Sequence, residues 1–131
     1  MNQQLEQRIR RVALTLAPNV DRTKCLHFSF VVKQHRIISV GWNFDWKTHP
    51  FSAKMGYRFS KIHSEVDAMR KFGLNHDYRG CTLLNIRVMR DFKSFGMAKP
   101  CPICASWLNT LQYPFKTILY TDHSGQFKQF K

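Results

Sequence analysis

Acidic side chains are scarce in this chain: eight Asp and Glu stand against 21 Lys and Arg, a formal net charge of +13 with histidine neutral. Such an excess repels further copies of the protein and gathers polyanions around it. Single-stranded nucleic acid or a nucleotide is therefore the expected partner and a monomer the expected state, the alternative being a solvated basic surface with no partner. The cations are spread along the chain, from Arg8, Arg10 and Arg11 through Lys54, Arg58 and Lys61 to Lys93, Lys99, Lys128 and Lys131. Cysteine is scarce too. Of four, Cys25 and Cys81 are isolated and Cys101 and Cys104 are paired, which does not fit the disulfide framework of a small secreted protein. No apolar run reaches the span of a bilayer, and the opening "MNQQLEQRIRRVALTLAPNV" is charged where a signal peptide would be unbroken and apolar. The expectation is a cytoplasmic protein with no membrane partner. Internal repeats and low-complexity linkers are missing as well, so the 131 residues are expected to form one domain, 1–131.

What is present reads as an alternation of helices and strands. Leu5, Ile9, Val12, Leu14 and Leu16 recur at roughly helical spacing and predict a first helix ending near Pro18. "LHFSFVVKQHRIISVGWN" predicts two strands, Leu26 to Lys33 and Ile37 to Trp42, joined by a turn around Gln34 to Arg36. A long aromatic loop follows. "IHSEVDAMRKFG" then predicts a helix stopped by Gly73, "TLLNIRVMR" a buried strand, "DFKSFGMAKP" a basic loop, "PICASWLNTLQY" a short helix and "TILYTD" a strand. The fold class is α/β, with helices packed on a mixed sheet of about five strands.

The paired cysteines gain meaning from this order. Pro102 follows Cys101 where a helix begins, a position that favours proline. Cys101 then sits at the helix cap and Cys104 one turn along the same side, where free amides and the helix dipole favour thiolate. Two thiolates so spaced are half of a tetrahedral zinc site. A thioredoxin-like redox pair would precede a helix that follows the first strand, whereas this is the last helix. His63 opens the preceding helix and Glu65 comes two residues later. Residues two apart in a helix interior point to different sides, so both reach one site only if His63 lies where the chain is still entering the helix. Given that, His63, Cys101 and Cys104 hold Zn2+ and leave a fourth position for water.

"HSE" followed by "PCPIC", with 38 positions from His63 to Cys101, resembles the H-x-E, P-C-x-x-C signature of the zinc-dependent cytidine deaminase-like superfamily. The resemblance implies a three-layer cytidine deaminase-like domain. It also implies hydrolysis of cytosine to uracil, with Glu65 as the catalytic proton shuttle between water, ring nitrogen and departing ammonia. By the same resemblance the Ser64 amide contacts the base, the Pro100 carbonyl accepts from its amine, and Asn43, in "GWN", is a candidate ribose ligand. Asn43 as a plain turn residue is the alternative reading. Where many members have Ala or Cys between His and Glu, this chain has Ser64.

After Tyr120 the chain is too short for a parallel crossover, and "ILYTDHSGQFKQF" predicts a hairpin whose last strand runs antiparallel to its predecessor. That arrangement is similar to the free cytidine deaminases and the toxin-like deaminases. It is less like the dCMP and tRNA adenosine deaminases. Trp42, Phe44 and Trp46 stand in an aromatic loop interleaved with Lys54, Arg58 and Lys61. Stacking rings beside cations suit a single strand, so these residues are the candidate base and backbone contacts, with Lys99 joining the backbone set. About half of the aromatics are expected in the core instead. The substrate reading is cytosine in single-stranded nucleic acid. The alternatives are a free cytidine nucleoside or nucleotide, and a zinc-stabilised nucleic-acid-binding domain without turnover.

Overall fold

Strand order and helix placement follow from which side of each strand is apolar. The computed structural model describes residues 1–20, 26–43, 63–74 and 76–130; Phe44, Trp46, Lys54, Arg58, Lys61 and Cys25 lie outside them. Helix α1 spans Gln3–Leu16, capped by Asn2, whose Oδ1 accepts from the Leu5 amide at 2.7 Å. It ends in a single turn at Ala17–Asn19 that holds Pro18. Strands β1 (Leu26–Lys33) and β2 (Arg36–Trp42) form an antiparallel hairpin. Helix α2 is Ser64–Phe72, β3 is Cys81–Val88, and β4 is the two-residue Phe95–Gly96. Helix α3 is Pro102–Asn109, followed by β5 (Thr117–Thr121) and β6 (Phe127–Gln129).

The sheet runs β2-β1-β3-β5-β6, with β4 beside the end of β3. β3 and β5 are parallel and the other pairs antiparallel, β5 with β6 included, so the closing hairpin is as expected. The sheet has six strands because part of the "DFKSFGMAKP" segment pairs with β3. Asp91 makes this possible: its carboxylate accepts from the Lys93 and Ser94 amides at 2.9 Å and the Ser94 hydroxyl at 2.7 Å. Those bonds fold a tight turn and hold its carboxyl down to about 2. Asp122 does the same in the β5–β6 turn, where Gly125 takes a φ of 80°.

Alternation along β1 and β3 sends side chains to two layers of helix. Phe28, Phe30, Val32, Leu84, Ile86 and Val88 meet Leu5, Ile9 and Ala13 of α1. Val31, Cys81 and Leu83 meet Ala68 and Met69 of α2 and Leu108 of α3 on the other face. Three layers result, as the sequence predicts. Gly41 lets α2 approach β2: a Cβ there would lie 2.1 Å from the Ala68 nitrogen. The buried Asp67 carboxylate fastens the contact, accepting from the Trp42 amide at 3.0 Å and pairing with Arg70 and Lys71. Gly73 ends α2 with a φ of 144°, a conformation suited to glycine.

Candidate metal centre

Two helix N-termini converge on one point at the same face of the sheet. His63 is the N-cap of α2, with φ −77° and ψ 156°, so it leaves the chain before the helical twist begins and meets the condition its spacing to Glu65 imposes. Cys101 is the N-cap of α3, with φ −65° and ψ 161°, and its sulfur accepts from the Cys104 amide at 3.4 Å. Pro102 occupies the first turn, where its missing N–H costs nothing.

From these caps Cys101 Sγ lies 3.4 Å and Cys104 Sγ 3.6 Å from His63 Nδ1. The three ligand atoms lie within 4.8 Å of one another. Around a tetrahedral zinc with Zn–S of about 2.3 Å and Zn–N of about 2.0–2.1 Å, a sulfur and a nitrogen ligand stand about 3.6 Å apart. The observed separations fit that edge, and two soft sulfurs with one imidazole are a donor set that zinc favours. His63, Cys101 and Cys104 are thus positioned to bind a metal, and among the described residues they form the one such cluster.

Glu65, in the first turn of α2, is buried against the sheet. Burial pushes its carboxyl up from the ordinary range, and the negative charge of Cys101 adds to this. His63 and hydrogen bonds from its own backbone amide and from Ser64 oppose it. Its oxygens are tied separately. Ser64 Oγ is 3.2 Å from Oε1, and Asn85 Nδ2 donates to Oε2 at 3.1 Å. Ser29 stands beneath both, with its hydroxyl 2.8 Å from Ser64 Oγ and 2.7 Å from Asn85 Oδ1. All four residues are at most 5% exposed. The hydroxyl of Ser64 therefore belongs to a polar network rather than to an apolar contact.

The remaining candidates spread around this centre. Pro100 is buried just before Cys101, and Lys99 is exposed, with its Nζ 5.9 Å from the Phe130 ring centre. Asn43 Oδ1 accepts from the His27 amide at 3.0 Å, so that oxygen fastens β2 to β1. Trp42 packs with the α1-side core, 6.4 Å from the Phe28 ring centre, under Lys71 at 3.6 Å. The reason is strand alternation: Gly41 faces α2, so its neighbour Trp42 faces the other way.

Sequence reasoning missed Ser29 and Asn85, both on the site face, and considered His27 on the same face only as a possible fourth metal ligand of a site without turnover. His27 is the cross-strand partner of Arg87, and burial, then the charges of Arg87 and His63, hold it down to about 4 and so neutral at pH 7. Cys81 is a free, buried thiol, and that burial pushes it up from the ordinary range.

Among the described residues, three α-helices on a mixed six-stranded sheet, with this centre at two helix starts, match a cytidine deaminase-like fold. Among solved structures the chain is similar to the dCMP deaminase from cyanophage S-TIM5, determined in complex with dCMP and dUMP. The TM-score is 0.59 and the identity 18%, over 92% of this chain and 82% of that one. No protein-family model and no curated protein sequence matches the chain. Among the described residues, no helix is long and apolar enough to cross a membrane.

Proposed function

We propose that this chain is a zinc-dependent deaminase that hydrolyses cytosine to uracil and ammonia. The observation that carries the proposal is the meeting of His63, Cys101 and Cys104 beside a buried Glu65. A structural zinc site would recruit a fourth protein ligand and has no use for a neighbouring acid, which is the argument against a domain without turnover. When bound, the metal supplies a Lewis acid that makes water a nucleophile near neutral pH.

The chain's own groups do the rest. Glu65 takes one proton from the attacking water and passes it to the ring nitrogen of the base; it then takes the remaining hydroxyl proton at the attacked carbon and delivers it to the amino group, which leaves as ammonia as the C–N bond breaks. Burial suits that task, because a carboxyl shifted upward holds a proton at neutral pH more readily than an exposed one. Ser64 and Pro100 offer an amide and a carbonyl to the two edges of the base, and Asn43 is the proposed sugar contact.

The preferred substrate is cytosine in single-stranded nucleic acid. The net charge of +13 supports this, as does Lys99 beside the Phe130 ring, itself edge-on to Tyr120. A free nucleotide is the second reading, favoured by the dCMP and dUMP in the cyanophage neighbour. One incubation separates them: cytidine, dCMP, CMP and single-stranded DNA and RNA oligonucleotides are offered together, and uracil products are read by mass spectrometry beside a Glu65→Gln control. Uracil in the oligonucleotides, absent with the variant, is the expected result. Product in the small molecules alone would replace it with the nucleotide reading, and no product from zinc-loaded protein would overturn the deaminase.

A further inference from the structure

We infer that Asn85, steadied by Ser29, is the positioning residue for the Glu65 carboxylate. The consequence for turnover rests on the deaminase reading above, whereas the geometry does not. A glutamate at the start of a helix has three rotatable bonds, and α2 holds it through Ser64 and through Glu65's own backbone amide. The other oxygen is held from a different element. Asn85 lies in β3, between β1 and β5, with Ser29 and Tyr120 as its direct partners across the two ladders. That backbone is fixed from both sides, so a donor placed on it is fixed as well.

The amide has one sensible orientation. A carboxyl oxygen with free lone pairs calls for a donor, so Nδ2 faces Glu65 at 3.1 Å, and Oδ1 then faces the Ser29 hydroxyl at 2.7 Å. Ser29, directly opposite on β1, donates to that Oδ1 and so gives the amide a second tie. Packing alone explains neither residue. The neighbouring inward positions of the same strands are Val31 and Leu83, and a buried amide and hydroxyl in their place would be costly without partners. Both are 3% exposed or less, and the ties they make lead to one carboxylate.

The test compares wild type with Asn85→Asp, which keeps the shape but removes the donor, and with Asn85→Ala, Ser29→Ala and the Ser29→Ala/Asn85→Ala pair. Zinc content and thermal midpoint are measured alongside, so that a variant that fails to fold is recognised. Loss of position predicts that kcat falls about 10–100-fold in both Asn85 variants, with KM within about twofold and zinc retained. Ser29→Ala should lose less, and the double variant no more than Asn85→Ala, because Ser29 acts through Asn85. Equal kcat, or a loss that appears in KM or follows the zinc content, would overturn the inference. Crystal structures of wild type and Asn85→Ala give a readout that needs no turnover. The Glu65 carboxylate should be ordered in the first and displaced or spread over rotamers in the second; an unmoved carboxylate would sink the idea. Should wild type release no uracil, the deaminase reading falls and the crystal structures still decide the positioning.

Discussion

The two faces of the central strands are built from different chemistry although they share a backbone. Toward α1, β1 and β3 present Phe28, Phe30, Val32, Leu84, Ile86 and Val88, and the buried cluster they make is wholly apolar. Toward α2 and α3 the same strands present Ser29 and Asn85 among Val31, Cys81 and Leu83. Each buried polar group costs free energy unless it is paired, and the pairs found here lead to Glu65, next to the metal cluster. Both faces carry an apolar core, and the buried polar chemistry is gathered at one end of the face toward α2 and α3.

Substitutions can break this division or sharpen it. The largest effect is expected from Glu65→Gln, which should lower turnover about 10²–10⁴-fold. It should leave the thermal midpoint equal or higher, because a buried carboxyl is replaced by a neutral amide; a large fall in midpoint would show that Glu65 also holds the fold. Phe30→Ala, on the opposite face, should cost about 3–5 kcal/mol in a denaturant titration. The fraction still folded should turn over as wild type does. Activity lost out of proportion to unfolding would break the division from the other side.

Tyr78 sharpens the contrast within the site face. It is buried at the far end from the metal, and its hydroxyl donates to the Gly73 and Met69 carbonyls beneath the end of α2. Burial pushes its phenol up to about 12 from the ordinary 10. The neutral form is thus favoured on folding, so the contribution is complete below pH 10 and is lost as pH rises from 10 toward 12. Tyr78→Phe should cost about 1 kcal/mol at pH 8, flatten that alkaline loss, and leave turnover unchanged. An alkaline slope that persists in the variant would assign it to another group. The smallest effect is expected at the edge of the α1 layer: Asn2→Ala removes the cap on Leu5 and should cost about 1 kcal/mol or less by thermal melt, with no change in activity.

Much of this division can be read before folding, and the unread part has a physical cause. The α1 layer follows from Leu5, Ile9 and Ala13 at helical spacing. The metal cluster follows from His63, Cys101 and Cys104, because side chains at helix starts are placed by local chain geometry that short motifs report. Ser29 and Asn85 are different. "HFSFVV" and "LLNIRV" are good buried strands with one polar interruption each, and only the β1–β3 register, a long-range property, sets the two interruptions side by side. The packing of Trp42 against the α1-side core is by contrast legible locally, from the period-two rule applied from Gly41. β4 escaped notice because two residues of pairing leave no periodicity, although the Asp91 to Ser94 turn carries a recognisable signal.

The metal content of the purified protein tests the central claim most directly. Elemental analysis of wild type, Cys104→Ser and Phe30→Ala should find about one zinc per chain in the first and the third and almost none in the second. Wild type without bound metal after purification in zinc-supplemented medium, or Cys104→Ser retaining a full equivalent, would contradict the placement of a metal at the two helix starts.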